Sequence, residues 1–251
     1  MLNSITVTIL TKNSQQYLPQ CLNALHDFGE ILILDNGSDD KTIEIAETYK
    51  NVKVIEHDFI GFGPLKNLAI ENAQHDWIFS LDSDEIISPE LIDEIRRLDL
   101  TKKNVIYSID RINHYKGKEI RCCGWYPDKV LRIFNRAHTS FSDALVHESL
   151  ILKNNTKTVE LLGKLKHYPF DDVNALIFKM QKYSTLYAEQ SNKTSSPLKA
   201  VTRATFAFFK NYFLQKGFLY GYEGLVISIS NANGVFYKYI KLYEKQHRKT
   251  M

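Results

Sequence analysis

Four short apolar runs in the first third of the chain alternate with segments whose apolar residues recur at helical spacing. The apolar runs are rich in β-branched and aliphatic side chains, as buried strands are. They occupy residues 4–10, 30–35, 52–55 and 76–81. The helical segments between them are residues 15–28, 41–49 and 64–72. This βαβαβαβ order predicts an α/β domain with a mostly parallel sheet flanked by helices.

Further along, the chain changes from mixed to purely helical patterning. The middle predicts a helix over residues 90–98, strands over 104–112 and 128–134, and a further short element that ends at Glu148. The last part predicts helices over residues 173–191, 198–214 and 237–247. We therefore expect an α/β domain over residues 1–167 and a helical C-terminal region over residues 168–251.

Polar side chains follow three of the predicted parallel strands at the point where each strand ends. They are Thr11 and Asn13, then Asp35, Asn36, Ser38 and Asp39, then Asp82 and Asp84. Ligands of open α/β sheets bind outside the carboxyl ends of the strands, so these side chains are expected to converge on one crevice.

The third of these strand ends carries three carboxylates within four residues, Asp82, Asp84 and Glu85. Like charges that close repel one another, and a bound cation removes the repulsion. Mg²⁺ is usually held by one or two carboxylates together with substrate phosphates, so the cluster predicts a site for a metal-bound diphosphate. The alternative is a solvated acidic turn before the next helix, for which Ser88 and Pro89 supply a cap and a first residue.

Several protein classes lack their expected signals in this sequence. The first strand is not followed by G-x-G-x-x-G or by G-x-x-x-x-G-K-[ST], which disfavours dinucleotide-binding Rossmann domains and P-loop NTPases. The three cysteines form no C-x-x-C pair, and a reduced, cytosolic setting is expected. No signal peptide and no apolar stretch long enough to span a bilayer are visible.

The three strand-end motifs together resemble glycosyltransferase family 2. They are Leu10-Thr11-Lys12-Asn13, Leu34-Asp35-Asn36-Gly37-Ser38-Asp39-Asp40-Lys41-Thr42 and Leu81-Asp82-Ser83-Asp84-Glu85. The resemblance implies the GT-A fold, a metal ion (Mg²⁺ or Mn²⁺) and inverting sugar transfer from a nucleotide diphosphate, a UDP-sugar being expected.

The same resemblance implies roles for single residues of the donor site. Thr11 and Asp35 would contact the base and its ribose, and Asn13, Ser38 and Asp39 would support that pocket. Lys66, followed by Asn67, falls where the family often has an Arg-Asn pair beside the diphosphate; lysine keeps the charge but loses the bidentate fork. Asp82 would hold the ribose or a metal-bound water, and Asp84 the metal itself.

An inverting transfer needs a general base for the acceptor hydroxyl, distinct from the metal ligands. The candidates are Glu148, Asp128, Asp143 and His147. Tyr126-Pro127-Asp128, Arg132-Ile133-Phe134 and Val146-His147-Glu148 resemble the branch of the family that adds β-glucose to the inner core of lipopolysaccharide. That resemblance favours Glu148 as the base, with His147 orienting it or contacting metal or phosphate; many relatives have a Glu-Asp pair there instead, and Asp128 remains the rival.

Three further residues in the middle of the chain have two possible roles each. Arg132 is expected either to donate hydrogen bonds to the diphosphate or to be an ordinary surface arginine on a strand. Trp125 and Tyr126 are expected either to stack on an acceptor sugar or to pack in a core.

Charge is distributed unevenly along the chain. Residues 1–163 carry a net charge of −6 and residues 164–251 a net charge of +9, and 17 of the 30 aromatic residues lie in the second stretch. In the predicted helix over residues 198–214, an apolar arc lies beside Lys199, Arg203 and Lys210. That pattern favours a helix that is part core and part contact with an anionic membrane. Pure core packing, single-stranded nucleic acid binding and an oligomer interface are the alternatives; no nucleic-acid motif supports the second.

The resulting hypothesis is an inverting, metal-dependent transferase. It would move a hexose, with glucose expected, to an inner-core sugar of lipopolysaccharide, in the cytoplasm and peripherally on the inner membrane. Transfer of a heptose or another sugar to a different surface glycan, and non-catalytic binding of a nucleotide sugar, are the alternatives. A nucleotidyltransferase is disfavoured because residues 11–14 are not a Gly-rich basic loop.

Overall fold

A computed structural model describes residues 2–145 and 148–247 of the chain. The chain divides into two compact units. The first comprises residues 1–111 and 128–167, and the second residues 112–127 and 168–251. The first unit ends at His167, and residues 112–127, which lie within the predicted N-terminal domain, are grouped with the second unit.

The described residues contain nine strands and seven α-helices. The strands are β1 (Ile5–Thr11), β2 (Glu30–Asp35), β3 (Val52–Glu56), β4 (Trp77–Asp82), β5 (Glu85–Ile87), β6 (Val105–Tyr115), β7 (Lys118–Glu119), β8 (Lys129–Asn135) and β9 (Lys157–Phe170). The helices are α1 (Leu18–Ala24), α2 (Thr42–Glu47), α3 (Phe62–Glu71), α4 (Pro89–Ile95), α5 (Val173–Gln190), α6 (Pro197–Phe209) and α7 (Gly221–His247). A π-helical turn, Lys210–Leu214, and a 3₁₀ turn, Gly217–Tyr220, connect α6 to α7.

The strands form one mixed sheet in the order β3-β2-β1-β4-β8-β6-β9-β5, with β7 paired to β6. The first four strands are parallel, as predicted, and their register aligns Thr11 with Asp35 and Leu10 with Asp82. The polar residues at these strand ends therefore lie at one edge of the sheet, which is where parallel α/β sheets bind their ligands.

The other half of the sheet is antiparallel, so the sheet is less parallel than the sequence predicts. β8 pairs antiparallel with β4 and β6, and β9 pairs antiparallel with β5. Strands β5 and β9 were not predicted from the sequence. In β9 the inward positions are Leu161, Gly163, Leu165 and His167, and this alternation is weak because glycine and histidine take two of the four positions.

Three apolar clusters hold the first unit together. The largest joins both halves of the sheet to α1 and α4, with Ile9, Leu22, Phe79, Leu91 and Ile109 fully buried. Two smaller clusters form around Leu34 with Leu65, and around Phe134 with Phe141. Strands β1, β2 and β4 are buried on both faces, which explains why their sequences are nearly continuous apolar runs.

The second unit has its own core, formed by Tyr115, Ile120, Cys122, Cys123, Leu176 and Ile227. Helix α7 packs against both α5 and α6. It begins 16 residues earlier than the predicted helix, at Gly221 rather than Tyr237. All three cysteines of the chain are buried and free. Within the described residues, none of the helices is both long and apolar enough to cross a bilayer.

Candidate active site

The carboxylate of Asp35 organises the ends of β1 and β2. Its Oδ1 accepts hydrogen bonds from the backbone N–H groups of Gly37 (3.0 Å) and Ser38 (2.8 Å). Its Oδ2 accepts from the hydroxyls of Thr11 (2.7 Å) and Ser38 (2.6 Å). Burial raises the pKa of Asp35, but these four donors outweigh it and hold the pKa below its ordinary value. Asp35 is wholly buried, and its hydrogen bonds to Gly37 and Ser38 fix the turn after β2.

The loop after β1 is tied to the same turn. The backbone N–H of Asn13 donates to Ser38 Oγ at 2.8 Å, and Asn13 Oδ1 accepts from the N–H of Asp39 at 2.9 Å. Asn13 has a left-handed backbone with φ of 52°, a conformation that asparagine tolerates better than most residues. Five predicted donor-site residues, Thr11, Asn13, Asp35, Ser38 and Asp39, are therefore brought together, although their contacts with a nucleotide stay a prediction.

Asp82, at the end of β4, is surrounded by cationic side chains. Its Oδ2 lies 2.7 Å from Arg132 Nη2, and its Oδ1 lies 3.5 Å from Lys66 Nζ. Burial raises the pKa of Asp82, but Arg132 and Lys66 hold it well below its ordinary value. The acidic cluster is thus neutralised in part by the protein's own side chains. These ion pairs were not predicted from the sequence.

Glu85 and Arg111 complete this ion network. The sequence placed Glu85 in the acidic cluster without assigning it a partner, and Arg111 was not singled out. Glu85 is wholly buried; its Oε1 accepts from Arg132 and, at 3.1 Å, from Arg111, and its Oε2 accepts from the backbone N–H of Asp82 at 3.1 Å. Arg132 is 5 % exposed, so its interpretation as a surface arginine is wrong. Burial lowers the pKa of Arg132, but Asp82 and Glu85 outweigh it and raise the pKa. The Nε of Arg132 is buried and has no hydrogen-bond partner among the described residues.

Asp84 points away from these arginines and toward β9. Its Oδ2 lies 3.4 Å from Nε2 of His167, whose strand position is set by the pairing of Glu85 with His167. An imidazole nitrogen and a carboxylate oxygen at that separation are placed as two neighbouring ligands of one divalent cation would be. Among residues 2–145 and 148–247, no group of three or more His, Cys, Asp or Glu is arranged to hold a metal ion.

Glu148 lies on a short loop and forms an ion pair with Lys66 of α3. Lys66 Nζ lies 2.6 Å from Glu148 Oε1, and the ammonium is also above the ring of Phe141. Phe141 and Leu150 pair at the base of the loop. The neighbouring Asn67 fixes the loop by accepting from the N–H of Phe141 at 2.9 Å and donating to its carbonyl oxygen at 3.0 Å. The predicted Lys66-Asn67 pair therefore connects the acidic cluster, through Asp82, to the loop that bears Glu148.

The first turn of α3 supports the same loop. The N–H groups of Phe62 and Gly63 donate to the carbonyl oxygens of Leu145 and Ala144, both at 3.1 Å. A Cβ at Gly63 would lie 2.0 Å from Ser142 O, so only glycine permits this close approach.

The other candidates for the base differ in their surroundings. Asp128 Oδ2 accepts from Arg111 Nε at 2.9 Å, which connects Asp128 to the ion network. Asp143 is exposed in the loop. His147, like its neighbour Val146, lies outside the described residues.

Trp125 and Tyr126 belong to the second unit. The Trp125 ring lies 5.2 Å from that of Phe170, and the Arg121 guanidinium lies 4.9 Å from the Tyr126 ring. Both side chains are half-buried, and Trp125 packs against the core of its unit. Contact of either ring with an acceptor sugar stays a prediction.

Comparison with known proteins agrees with this architecture. Residues 6–153 match the family model described as Glycosyl transferase family 2. An uncharacterized glycosyltransferase of Rickettsia typhi is 27% identical over 260 residues, covering 97% of this chain and 88% of that protein. The lipopolysaccharide core biosynthesis glycosyltransferase LpsC of Rhizobium meliloti is 24% identical over 255 residues, covering 96% of this chain and 92% of LpsC.

Solved structures resemble the chain more distantly. The crystal structure of Staphylococcus aureus TarS 1–349 in complex with UDP-GlcNAc is 14% identical, with a TM-score of 0.47, and the match covers 91% of this chain and 90% of that one.

The chain belongs to glycosyltransferase family 2, because the family model matches more than half of it. The predicted family and the GT-A fold are confirmed, and the protein is a glycosyltransferase.

Proposed function

We propose that this glycosyltransferase moves a hexose, with glucose expected, from a UDP-sugar to an inner-core sugar of lipopolysaccharide, with inversion. The observation that carries the proposal is the position of Lys66, which contacts Asp82 of the donor motif and Glu148 of the base motif at once. The similarity to LpsC, which extends over nearly the full length of both proteins, supports the acceptor class.

The donor nucleotide would lie at the carboxyl ends of β1 and β2. Because all four hydrogen bonds to Asp35 are internal, its part would be to hold Thr11 and Ser38 in place for the base and ribose. Asn13 and Asp39 would fix the outer wall of that pocket through their mutual hydrogen bond.

The diphosphate would be received by the cationic side of the cluster. Lys66, Arg111 and Arg132 each contact carboxylates there, and Arg132 retains one buried Nε–H without a partner among the described residues. Charge-assisted hydrogen bonds from guanidinium and ammonium groups stabilise the charge that develops on a leaving diphosphate.

Asp84 and His167 fit a divalent cation, Mg²⁺ or Mn²⁺, that would take its remaining ligands from the diphosphate and water. When bound, such an ion supplies further charge neutralisation for the leaving group. Asp82 would contribute through the ribose or through a water on the metal.

The general base would be Glu148. It would take the proton of the acceptor hydroxyl as that oxygen attacks the anomeric carbon from the face opposite the diphosphate. The new C–O bond forms as the bond from the anomeric carbon to the diphosphate oxygen breaks, and the nucleoside diphosphate departs with the electron pair. Asp128 remains the rival base, and its bond to Arg111 places it in the same network.

The acceptor would be a lipid-linked glycan presented at the inner leaflet of the inner membrane, with the protein in the cytoplasm and peripherally attached. Trp125 and Tyr126 are the proposed contacts with the acceptor sugar. The net charge of +9 in residues 164–251 suits an anionic membrane surface, and nucleic acid is not proposed as a partner.

A panel of donors tests the proposal. The purified protein is offered UDP-, GDP- and ADP-linked sugars with Mn²⁺ or Mg²⁺, and binding and slow donor hydrolysis are measured. We expect cation-dependent binding of a UDP-sugar, and transfer when a truncated lipopolysaccharide core is added. Binding without any turnover on such cores would instead support a non-catalytic nucleotide-sugar binding protein, and binding of no donor would contradict the proposal.

A further inference from the structure

The link between α6 and α7 presents large apolar side chains to solvent. Five rings, those of Phe208, Phe209, Tyr212, Phe213 and Phe218, form a connected set with centroids 5.1 to 6.5 Å apart. Phe209, Phe213 and Phe218 are about half exposed. Leu214 and Leu219, beside them in the chain, are 75% and 65% exposed. We refer to these seven residues as the aromatic corner.

The exposure follows from how α6 packs. On α6, which packs against α7, Ala200 is buried and Ala204 and Ala207 are half-buried. Asn211, in the π-helical turn that follows, is also buried and accepts a hydrogen bond from Asn231 of α7. The larger apolar residues of α6 therefore occupy its other faces, and Leu198, Val201 and Phe206 are exposed. Contiguous exposed apolar patches on a protein surface mark interaction sites.

Basic residues lie among and beside the residues of the aromatic corner in the sequence, and no acidic residue lies between them. Between Gln190 and Tyr222 the sequence contains five lysine or arginine residues and no aspartate or glutamate. Arg203, Lys210 and Lys216 are exposed, and their side chains form no ion pair with any carboxylate in the described part of the chain. Unpaired cations next to exposed rings and leucines are the complement of an anionic, amphipathic surface.

We propose that the aromatic corner is a membrane-docking element, which inserts into the interface of a bilayer rich in anionic phospholipid. Lys210 and Lys216 would contact lipid phosphates while Phe213, Leu214 and Leu219 enter the boundary between headgroups and acyl chains. The inference rests on the proposed function, because a lipid-linked acceptor would bring the protein to such a surface.

Vesicle co-sedimentation of the full-length protein tests the docking element. Vesicles of phosphatidylcholine alone are compared with vesicles that contain phosphatidylglycerol, at low salt and at about 0.5 M salt, where the Debye length falls to about 4 Å. We expect binding to the anionic vesicles only, weakened by salt. The variant Phe213→Ser/Leu214→Ser/Leu219→Ser should bind at least about tenfold more weakly, as should Lys210→Glu/Lys216→Glu.

The matched control is Phe178→Ser, because Phe178 is 72% exposed on α5 of the same unit but lies outside the aromatic corner. It should bind vesicles as the unmodified protein does, and circular dichroism should show all variants folded. Equal binding by the triple variant and the unmodified protein would overturn the proposal. An absence of vesicle binding would also overturn it, and concentration-dependent self-association that the triple variant abolishes would then identify a second copy of the chain as the occupant.

Donor binding separates this proposal from the proposed function. The triple variant should still bind and slowly hydrolyse the nucleotide sugar, because none of its changes touches the donor site. If no donor is bound by any form but vesicle binding follows the expected pattern, the docking element stands and the proposed function fails.

Discussion

Lys66 Nζ lies 2.6 Å from Glu148 Oε1 and 3.5 Å from Asp82 Oδ1. One lysine on α3 thus joins the carboxylate of a loop near residue 148 to the carboxylate at the end of β4. The lysine and the Glu148 side chain are largely shielded from bulk water, whereas the Asp82 side chain is about one-third exposed, so the contact with Glu148 is the less screened of the two. This relationship couples the proposed base to the proposed donor site, and we infer that a diphosphate reaching Lys66 would free Glu148 for the acceptor hydroxyl.

Glu148→Gln should bind the donor normally but transfer the sugar about 10²–10⁴-fold more slowly, because the amide cannot take a proton. Donor affinity by calorimetry and transfer by product release would be measured on the same preparation. Asp143→Asn is the control, since Asp143 is an exposed carboxylate of the same loop. Near-normal transfer by Glu148→Gln would instead make Asp128 the base, and Asp128→Asn would then show the large loss.

The parallel half of the fold was predictable from the sequence because its information is local. Strands β1, β2 and β4 are mostly apolar, and each ends in polar residues that the parallel register aligns, as Thr11 and Asp35 show. The donor-site residues could therefore be grouped by their positions in the sequence. The hydrogen bonds that Asp35 accepts from its own turn could not be predicted, because they depend on the folded geometry of that turn.

The antiparallel half and the ion network were not predictable in the same way. Arg111 and His167 reach the acidic cluster only through the pairing of β6 with β8 and of β5 with β9, which joins residues distant in the chain. The early start of α7 was not predicted because Gly221, Gly224 and Gly234 lie in that stretch and glycine is unfavourable inside a helix. Gly224 instead permits a close approach, since a Cβ there would lie 1.9 Å from Gly217 O.

Asp84→Ala should lose transfer by roughly 100-fold or more, the scale expected when several kcal/mol of charge stabilisation disappears. The fold should survive because Asp84 is only partly buried. Mn²⁺ binding in the presence of UDP, followed by electron paramagnetic resonance, should weaken in Asp84→Ala and also in His167→Gln. Unchanged transfer in Asp84→Ala would reject the assignment of the metal to this residue.

Arg132→Met should destabilise the first unit by about 3–5 kcal/mol, because it removes the main cation from the buried carboxylate of Glu85 and from the partly exposed carboxylate of Asp82. Urea unfolding monitored by circular dichroism would measure the change. Lys102→Met serves as the control, since its ion pair with Asp99 is exposed and should contribute no more than about 1 kcal/mol. Similar unfolding curves for the two variants would show that the network is not stabilising.

Gly63→Ala should displace the loop that carries Glu148, since the added Cβ would lie 2.0 Å from Ser142 O and 2.9 Å from Ala144 O. We expect a stability loss of about 1–3 kcal/mol and a transfer rate lowered by up to about 100-fold, with donor affinity changed little. Gly234→Ala is the matched control. Gly234 lies within α7, and a Cβ added there would meet nothing closer than Met180 Cγ of α5, at 3.5 Å. The free energy of unfolding of Gly234→Ala should equal that of the unmodified protein or exceed it by up to about 1 kcal/mol, because alanine favours a helix more than glycine does. Full transfer activity in Gly63→Ala would contradict the proposed link between α3 and the base.

Asp35→Asn should destabilise the protein in a pH-dependent manner. The four donors around Asp35 hold its pKa in the folded protein below 3.8, its ordinary value, so the folded state favours the carboxylate over the acid. The stabilisation it provides is therefore complete above the unfolded pKa and is lost as the pH falls through the folded pKa. At neutral pH the substitution should cost about 1–3 kcal/mol, since the amide has one acceptor oxygen where the carboxylate has two. Urea unfolding of both proteins between pH 3 and pH 7 should show a difference that is constant above about pH 5 and narrows toward pH 3. A difference that widens as the pH falls would mean that Asp35 is not held as a carboxylate by these donors.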